Sequence, residues 1–402
     1  MNKKLSLSLV FASLISISSL SSCNLNKIVD IRQIPVQKYF AAKNSKERFE
    51  IECQYCPGDY QQQDLSFITW DPDLEYYSYR VYFADNKEFN NPYIVYTTST
   101  VVEGGIFVPG KTYYYKVIAS DDYDIIRDKE LDDSNYPIIK KGKFKVKDDI
   151  IRFVNIPGMF NTRDIGGYKA EHNKRIKYEM VYRGGYFLRI DDDGVDIMKN
   201  RLNIKTEIDL RVENDRPDKT YIGNVNSLDP NLNYVEAPIT TCSYMFPQWN
   251  QTEPYRRSYF PLTQESLYKA FSCLSDESNY PVYLHCNAGA DRTGTFAFLL
   301  EGLLGVEIDD LALDFEMTCF SAMGTSQWRG PIVDGERVMG VAQDDTKNYV
   351  GFGLMYENML KWYGVDNGAK DNSLQAAIEN YFTSFIGITD EQISSIKSIL
   401  LE

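Results

Sequence analysis

Ten residues late in the chain, His285-Cys286-Asn287-Ala288-Gly289-Ala290-Asp291-Arg292-Thr293-Gly294, constrain its fold more than any other segment. They follow Pro281-Val282-Tyr283-Leu284, an apolar run short and bounded as a buried strand is. They lead into Thr293 to Val306, where apolar residues recur at helical spacing. The pattern predicts a strand, a tight loop and a helix N-terminus. In such a loop the backbone N–H groups between Cys286 and Thr293 converge on one point, which the helix dipole also makes favourable for an anion. Gly289 stands where the backbone most needs freedom to bend.

The side chains suit attack on a phosphate monoester, which needs an ionised nucleophile, donors for its equatorial oxygens and a permanent cation. Thiols at helix N-termini and beside cations ionise at roughly pH 3.5–7.5, against about 8.5 for a free thiol. Cys286 is the expected nucleophile, forming a phosphocysteine. Arg292 offers a planar fork for two phosphate oxygens, and Thr293 a hydroxyl for the departing sulfur. The leaving oxygen must be protonated by an acid within hydrogen-bond reach. Asp291 is placed for that, or serves as a carboxylate that complements the helix dipole. A bare Cys and Arg six apart also arise by chance in buried segments, where Cys is inert. Here His285, one of two histidines in the chain, fits together with Gly289, Thr293 and Gly294, and the whole motif in its strand–loop–helix setting outweighs chance.

With these residues the sequence resembles the bacterial secreted tyrosine phosphatases, some also active on phosphoinositides, whose signature is HCXAGXDRTG. The likeness extends upstream to Asn161-Thr162-Arg163-Asp164-Ile165-Gly166-Gly167 (NXRDLGG), Tyr182-Arg183-Gly184-Gly185 (YRSG) and Ile208-Asp209-Leu210-Arg211 with Glu213 (DLRSXXE). Downstream, Asp314-Phe315-Glu316-Met317-Thr318 is similar to the family's DYXLT helix, and Ile386-Gly387-Ile388-Thr389 precedes a closing helix. The resemblance covers about residues 150–402. It implies Cys286 as nucleophile, Arg292 as phosphate clamp, Asp291 as general acid, and Asn287, Ala288, Gly289 and Ala290 as the phosphate loop. His285, Arg163, Asp164, Asp209 and Arg211 are its supporting residues. Asp164 and Asp209 are reserve acids, or Asp209 merely ends a strand and Arg163 with Asp164 forms a structural pair bracing the loop. At Ala290 many members carry lysine, so one contact to a phosphate or inositol substituent is missing.

The first 22 residues run from Asn2-Lys3-Lys4 through the apolar stretch Leu5–Leu20 to Ser21-Ser22, the layout of an export signal. Leu20-Ser21-Ser22-Cys23 looks like a lipoprotein box, predicting a lipid on Cys23, a body outside the cytoplasm and, in a diderm, the outer membrane. The apolar stretch is shorter and richer in serine than the roughly 20 apolar residues of a spanning helix. Cys53 and Cys56 form a CX2C pair, which in an oxidising compartment permits a local disulfide. Without a second such pair or a histidine cluster, zinc would lack ligands, and neither metal nor cofactor is expected. Cys242, Cys273 and Cys319 read as buried apolar residues. The formal charge of −14 disfavours nucleic acid and anionic membrane as partners. Contact with a membrane is expected through the lipid alone.

Residues 23–45 are polar and read as a tether. From 46 to 148 short alternating strands are separated by turns. Leu65–Trp70 puts a tryptophan on an early strand, Tyr79–Phe83 forms another, and Pro109-Gly110-Lys111-Thr112-Tyr113 sets a tyrosine just past a turn, where a tyrosine corner would sit. These features resemble a fibronectin type III sandwich. Its tyrosines read as packing, with a spacer or docking role. Residues 149–402, with helices expected at Asp191–Arg201 and Gln264–Leu274, read as an α/β domain around a central, mostly parallel sheet. The expected function is an exported phosphomonoesterase, phosphotyrosine-type or else acting on phosphoinositides or small molecules. A catalytically silent phosphate-binding or adhesive lipoprotein would not need Cys286, Asp291 and Arg292 together, and rhodanese-like sulfur chemistry would not need Thr293-Gly294.

Overall fold

The structure, a computed structural model, describes residues 27–402 except 57, 72–75, 122–131, 188, 213–231, 240–259, 322–331, 334–335, 338–351. The export segment, Cys23, Glu213 and Cys242 lie outside the described residues. Among the described residues no helix is long and apolar enough to cross a membrane.

The N-terminal unit is built on strands β1 (Ile28–Val29), β2 (Asp64–Thr69), β3 (Ser78–Ala84), β4 (Tyr93–Thr97), β5 (Val101–Glu103), β6 (Thr112–Ser120) and β7 (Ile138–Val146). Five form one sheet in the order β1-β7-β6-β3-β4, and β2 pairs with β5 in a second. Leu65, Ile68 and Val102 from the smaller sheet share a core with Val81, Phe83, Val117 and Phe144 from the larger, because alternate residues of each strand face inward. The Val108 N–H donates to the Tyr113 hydroxyl at 3.0 Å, which ties the turn to β6.

Of residues 23–45, expected to be a tether, those described are held in structure beginning with the strand at Ile28–Val29. They supply β1, parallel to β7, and helix α1 (Ile34–Ala41), whose Val36 and Tyr39 are buried in the core of the second unit. The first residues assigned to the sandwich are helical too: α2 (Ser45–Tyr55) opens with the Asn44 side chain accepting from the Glu47 N–H. Burial of Tyr39 against Phe320 is the physical reason that this polar stretch folds.

The second unit holds a six-stranded mixed sheet of β8 (Arg152–Phe153), β9 (Arg163–Asp164), β10 (Val181–Gly184), β11 (Thr206–Asp209), β12 (Asn233–Glu236) and β13 (Val282–His285), ordered β12-β11-β13-β10-β9-β8. Strands β10, β13, β11 and β12 are parallel, and β9 and β8 extend the sheet antiparallel. Val181, Val282 and Leu284 face a large core shared with helices α4 (Phe260–Leu274), α5 (Asp291–Leu303), α6 (Ile308–Glu316), α7 (Phe352–Tyr363), α8 (Leu374–Tyr381) and α9 (Asp390–Leu400). Tyr182 and Tyr283 face the other side, where Ile197 and Met198, just past the short helix α3 (Asp192–Asp196), cover them. Apolar residues on both faces are what a largely parallel sheet requires.

The two units are hydrogen-bonded together. Gln63 donates to the carbonyls of Phe107 and Phe153 at 3.0 and 3.3 Å, and Arg152 reaches back to the Phe107 carbonyl at 2.8 Å.

Candidate active site

The expected strand, loop and helix are present: β13 ends at His285, the loop runs from Cys286 to Ala290, and α5 begins at Asp291. The carbonyls of Cys286 to Gly289 are drawn toward the surrounding protein. Cys286 O lies 3.2 Å from His285 Nδ1, Asn287 O accepts from the Tyr186 N–H at 3.1 Å, Ala288 O from Asn161 Nδ2 at 3.0 Å and Gly289 O from Arg183 Nη2 at 2.9 Å. In a trans peptide the C=O of one residue and the N–H of the next point in opposite directions. The N–H groups of Asn287, Ala288, Gly289 and Ala290 are therefore turned to the inside of the loop, where the N-terminus of α5 adds its dipole.

Gly289 makes this path sterically possible. Its φ is +66°, and a Cβ there would sit 2.3 Å from the Gly184 carbonyl carbon. Gly184 is constrained in turn, since a Cβ on it would meet the Tyr283 hydroxyl at 2.4 Å. The glycines of YRGG and of the loop thus pack backbone against backbone.

Behind the loop lies a buried charged frame. Arg163 Nε donates to Asp314 Oδ1 at 3.0 Å, Arg163 also donates to the Asn161 side chain, and Arg183 Nη1 donates to Asp314 Oδ2. Asn161 is further held by Thr318 at 3.3 Å. The expected Arg163–Asp164 pair does not form. Successive strand residues point to opposite faces, so Arg163 meets Asp314 while Asp164 meets Arg152 at 2.9 Å. Asp164 also accepts the N–H groups of Gly166 and Glu179, each at 2.8 Å. Burial pushes its carboxyl up, although Arg152 and those two N–H groups act against the shift.

A second frame lies under His285. Its Nε2 is 2.6 Å from Glu207 Oε1, and both residues are fully buried. The Cys286 carbonyl can only accept, so Nδ1, 3.2 Å from it, is the donor of that contact. Burial raises the Glu207 carboxyl, with His285 opposing. Asp209 chelates Arg211 at 3.0 and 2.9 Å and accepts the Tyr234 hydroxyl at 2.8 Å. Burial would push Asp209 up, but His285 and Arg211 together outweigh it and hold the carboxyl well below the usual range. Arg211 also lies over the Tyr186 ring, 4.8 Å from its centroid. Glu207, Asp209 and His285 bring their ligand-type atoms within 4.8 Å of one another. Their hydrogen bonds to one another, to Arg211 and to Tyr234 account for that closeness without a metal ion.

Within the loop Cys286 is 3% exposed, Arg292 is 6% exposed, and Asp291 is partly exposed. The Thr293 hydroxyl is buried with no hydrogen-bond partner among the described residues. Asp164 and Asp209, the reserve acids, are both closed into ion pairs away from solvent, whereas Asp291 stands at the loop's rim. The bracing roles of Asn161, Arg183, Asp314, Glu207 and Tyr186 were not read from sequence. The first three lie inside the quoted motifs, which was the available signal.

The strand–loop–helix cradle around a buried cysteine, carried on a mixed sheet with helices on both faces, defines a cysteine-loop α/β protein. The model of the tyrosine phosphatase family matches residues 154–402, and the chain belongs to that family. It is 23% identical over 168 residues to a Cupriavidus necator protein named for tyrosine-protein phosphatase activity, a match covering 39% of this chain. The chain spans 59% of the length of that relative. Among solved structures it is similar to the core catalytic domain of the PP-IP phosphatase Siw14 from S. cerevisiae, crystallised with citrate. That match has a TM-score of 0.26 and 18% identity, covering 36% of this chain and 73% of the other.

Proposed function

We propose that the chain is a cysteine-dependent phosphomonoesterase of phosphotyrosine type, exported and held to the cell envelope by a lipid on Cys23, with a fibronectin III-like N-terminal unit as spacer. The observation that carries the reading is the set of four carbonyls tied outward, which leaves a ring of N–H groups around the site of a tetrahedral oxyanion. Cys286 Sγ attacks phosphorus as the ester P–O bond breaks, and Asp291 gives its proton to the leaving oxygen. Arg292 and the inward N–H groups hold the equatorial oxygens. In the second step Asp291 takes a proton from water, water oxygen bonds to phosphorus, and the S–P bond breaks. The Thr293 hydroxyl, with no partner among the described residues, donates to the departing thiolate. Inorganic phosphate leaves.

Phosphorylated proteins or small molecules are the substrates, and the absence of a cation at Ala290 favours phosphotyrosine over polyphosphorylated inositol rings. Hydrolysis of aryl phosphate, phosphotyrosine and phosphoserine peptides and phosphoinositides, by wild type and Cys286→Ser under reducing conditions, tests this. The expected result is turnover preferring phosphotyrosine and falling by on the order of 10³ or more in the variant. A folded wild type that turns over nothing sinks the enzymatic reading, and a preference for phosphoinositides moves the substrate class. Export and lipidation are tested separately, by labelling of Cys23 with a fatty-acid probe and its loss in Cys23→Ala.

A further inference from the structure

Two cysteines distant in sequence meet where the N-terminal helices rest on the catalytic unit. Cys56 caps α2, its N–H donating to the Glu52 carbonyl at 2.8 Å. Cys319 lies in the helical turn Met317–Phe320 that follows α6. The Tyr60 N–H donates to the Phe320 carbonyl at 2.8 Å, and Tyr60 and Tyr39 meet the Phe320 ring edge-on at 6.3 and 5.1 Å. The Tyr39 hydroxyl also donates to the Glu316 carboxylate. These contacts fix both segments at the place where Cys56 and Cys319 pack on the same apolar core. The two thiols are close enough to influence each other electrostatically, and both residues are half-buried. Cys53, the partner that the CX2C spacing suggested for Cys56, sits instead on the exposed side of α2.

We propose that Cys56 and Cys319 form a disulfide that fastens the N-terminal helices to the catalytic unit, made by exchange with a disulfide donor such as oxidised glutathione or a protein oxidant of an oxidising compartment. The Cys56 thiolate attacks one donor sulfur, forming a mixed disulfide and releasing one donor thiolate. The Cys319 thiolate then attacks Cys56 Sγ, the Cys56–Cys319 bond forms, and the second donor thiolate leaves. Two electrons pass to the donor, and the two protein thiol protons end on the released thiolates. Cys319 is the second attacker because burial, with Cys56, Glu52 and Glu316 nearby, pushes its thiol up. The bond closes a loop across most of the described chain, the situation in which a crosslink restricts the unfolded state most. It also anchors the residue after Thr318, whose hydroxyl holds Asn161 against the phosphate loop.

The test equilibrates the reduced full chain, in a Cys286→Ser background that keeps the nucleophile out of exchange, with excess oxidised glutathione. Peptide mapping by mass spectrometry without reductant is then combined with thermal melting. The expected result is a Cys56-to-Cys319 linked peptide and a melting temperature raised by roughly 5 °C and reversed by dithiothreitol. Cys56→Ser and Cys319→Ser each remove link and shift together, and Cys53→Ser keeps both. A Cys53–Cys56 link, a Cys56 that still reacts with iodoacetamide in the oxidised folded protein, or a Cys56–Cys319 link without a melting shift overturns the proposal.

Discussion

The sandwich core and the phosphate loop are stabilised in opposite ways. In the sandwich, Phe107 packs on Phe83, Tyr113 and Phe144 with ring centroids 4.9, 4.7 and 5.5 Å apart, contacts that are individually weak, numerous and tolerant of angle. At the loop, each of four consecutive carbonyls depends on one donor, and three of those donors are the side chains of His285, Asn161 and Arg183. Apolar packing divides a loss among many neighbours. A directional bond to a loop does not, so the same loss of stability should carry a different functional consequence in each region.

The sharpest way to break that comparison is to remove Arg183, which holds both Asp314 and Gly289 O. Arg183→Ala leaves a buried carboxylate without one of its cations and should cost about 3–5 kcal/mol. Turnover should fall at least about a hundredfold in whatever protein remains folded, measured with an aryl phosphate after urea titration establishes the folded fraction. Phe144→Ala in the sandwich should cost a similar or slightly smaller amount, about 3 kcal/mol, yet leave kcat of the folded protein within about twofold. If kcat drops as far as it does in Arg183→Ala, the sandwich core communicates with the loop and the contrast fails. Asn161→Ala should cost about 1–3 kcal/mol, as one buried carbonyl loses its donor. It should lower kcat more than it raises KM, since the loop loosens around the transition state.

The loop itself was legible because its information is local: a bounded apolar strand, a glycine and a run with apolar residues at helical spacing lie within about two dozen residues. Its braces were not, since Arg163 and Asp314 lie far apart in the chain and pair only through the fold. The exchange of partners between Arg163 and Asp164 follows from strand alternation, which sequence could have supplied once Arg163–Asp164 was recognised as a strand. The N-terminal helices were missed for another reason. Pro35 near the start of α1 and Asn44 three residues before Glu47 are helix-start signals. The polar composition hid the few residues, Val36 and Tyr39, that find a core elsewhere.

Asp209 gives the smallest expected effect and the one that separates bracing by charge from bracing by shape. Its carboxyl is held well below the usual range by His285 and Arg211 against the opposing pull of burial. A carboxyl depressed in the folded state stabilises above its unfolded value, about pH 3.9, and that contribution is lost as pH falls further toward the folded value. Unfolding free energies measured by urea titration from pH 6 down to pH 3 should therefore decline in the wild type. Asp209→Asn, which keeps the shape and removes the charge, should be less stable at pH 6 by up to about 2 kcal/mol and decline less steeply below pH 4. Parallel curves for the two proteins would mean that Arg211 and Tyr234 hold this corner through shape alone. The charge on Asp209 would then be incidental to how the loop above it is fixed.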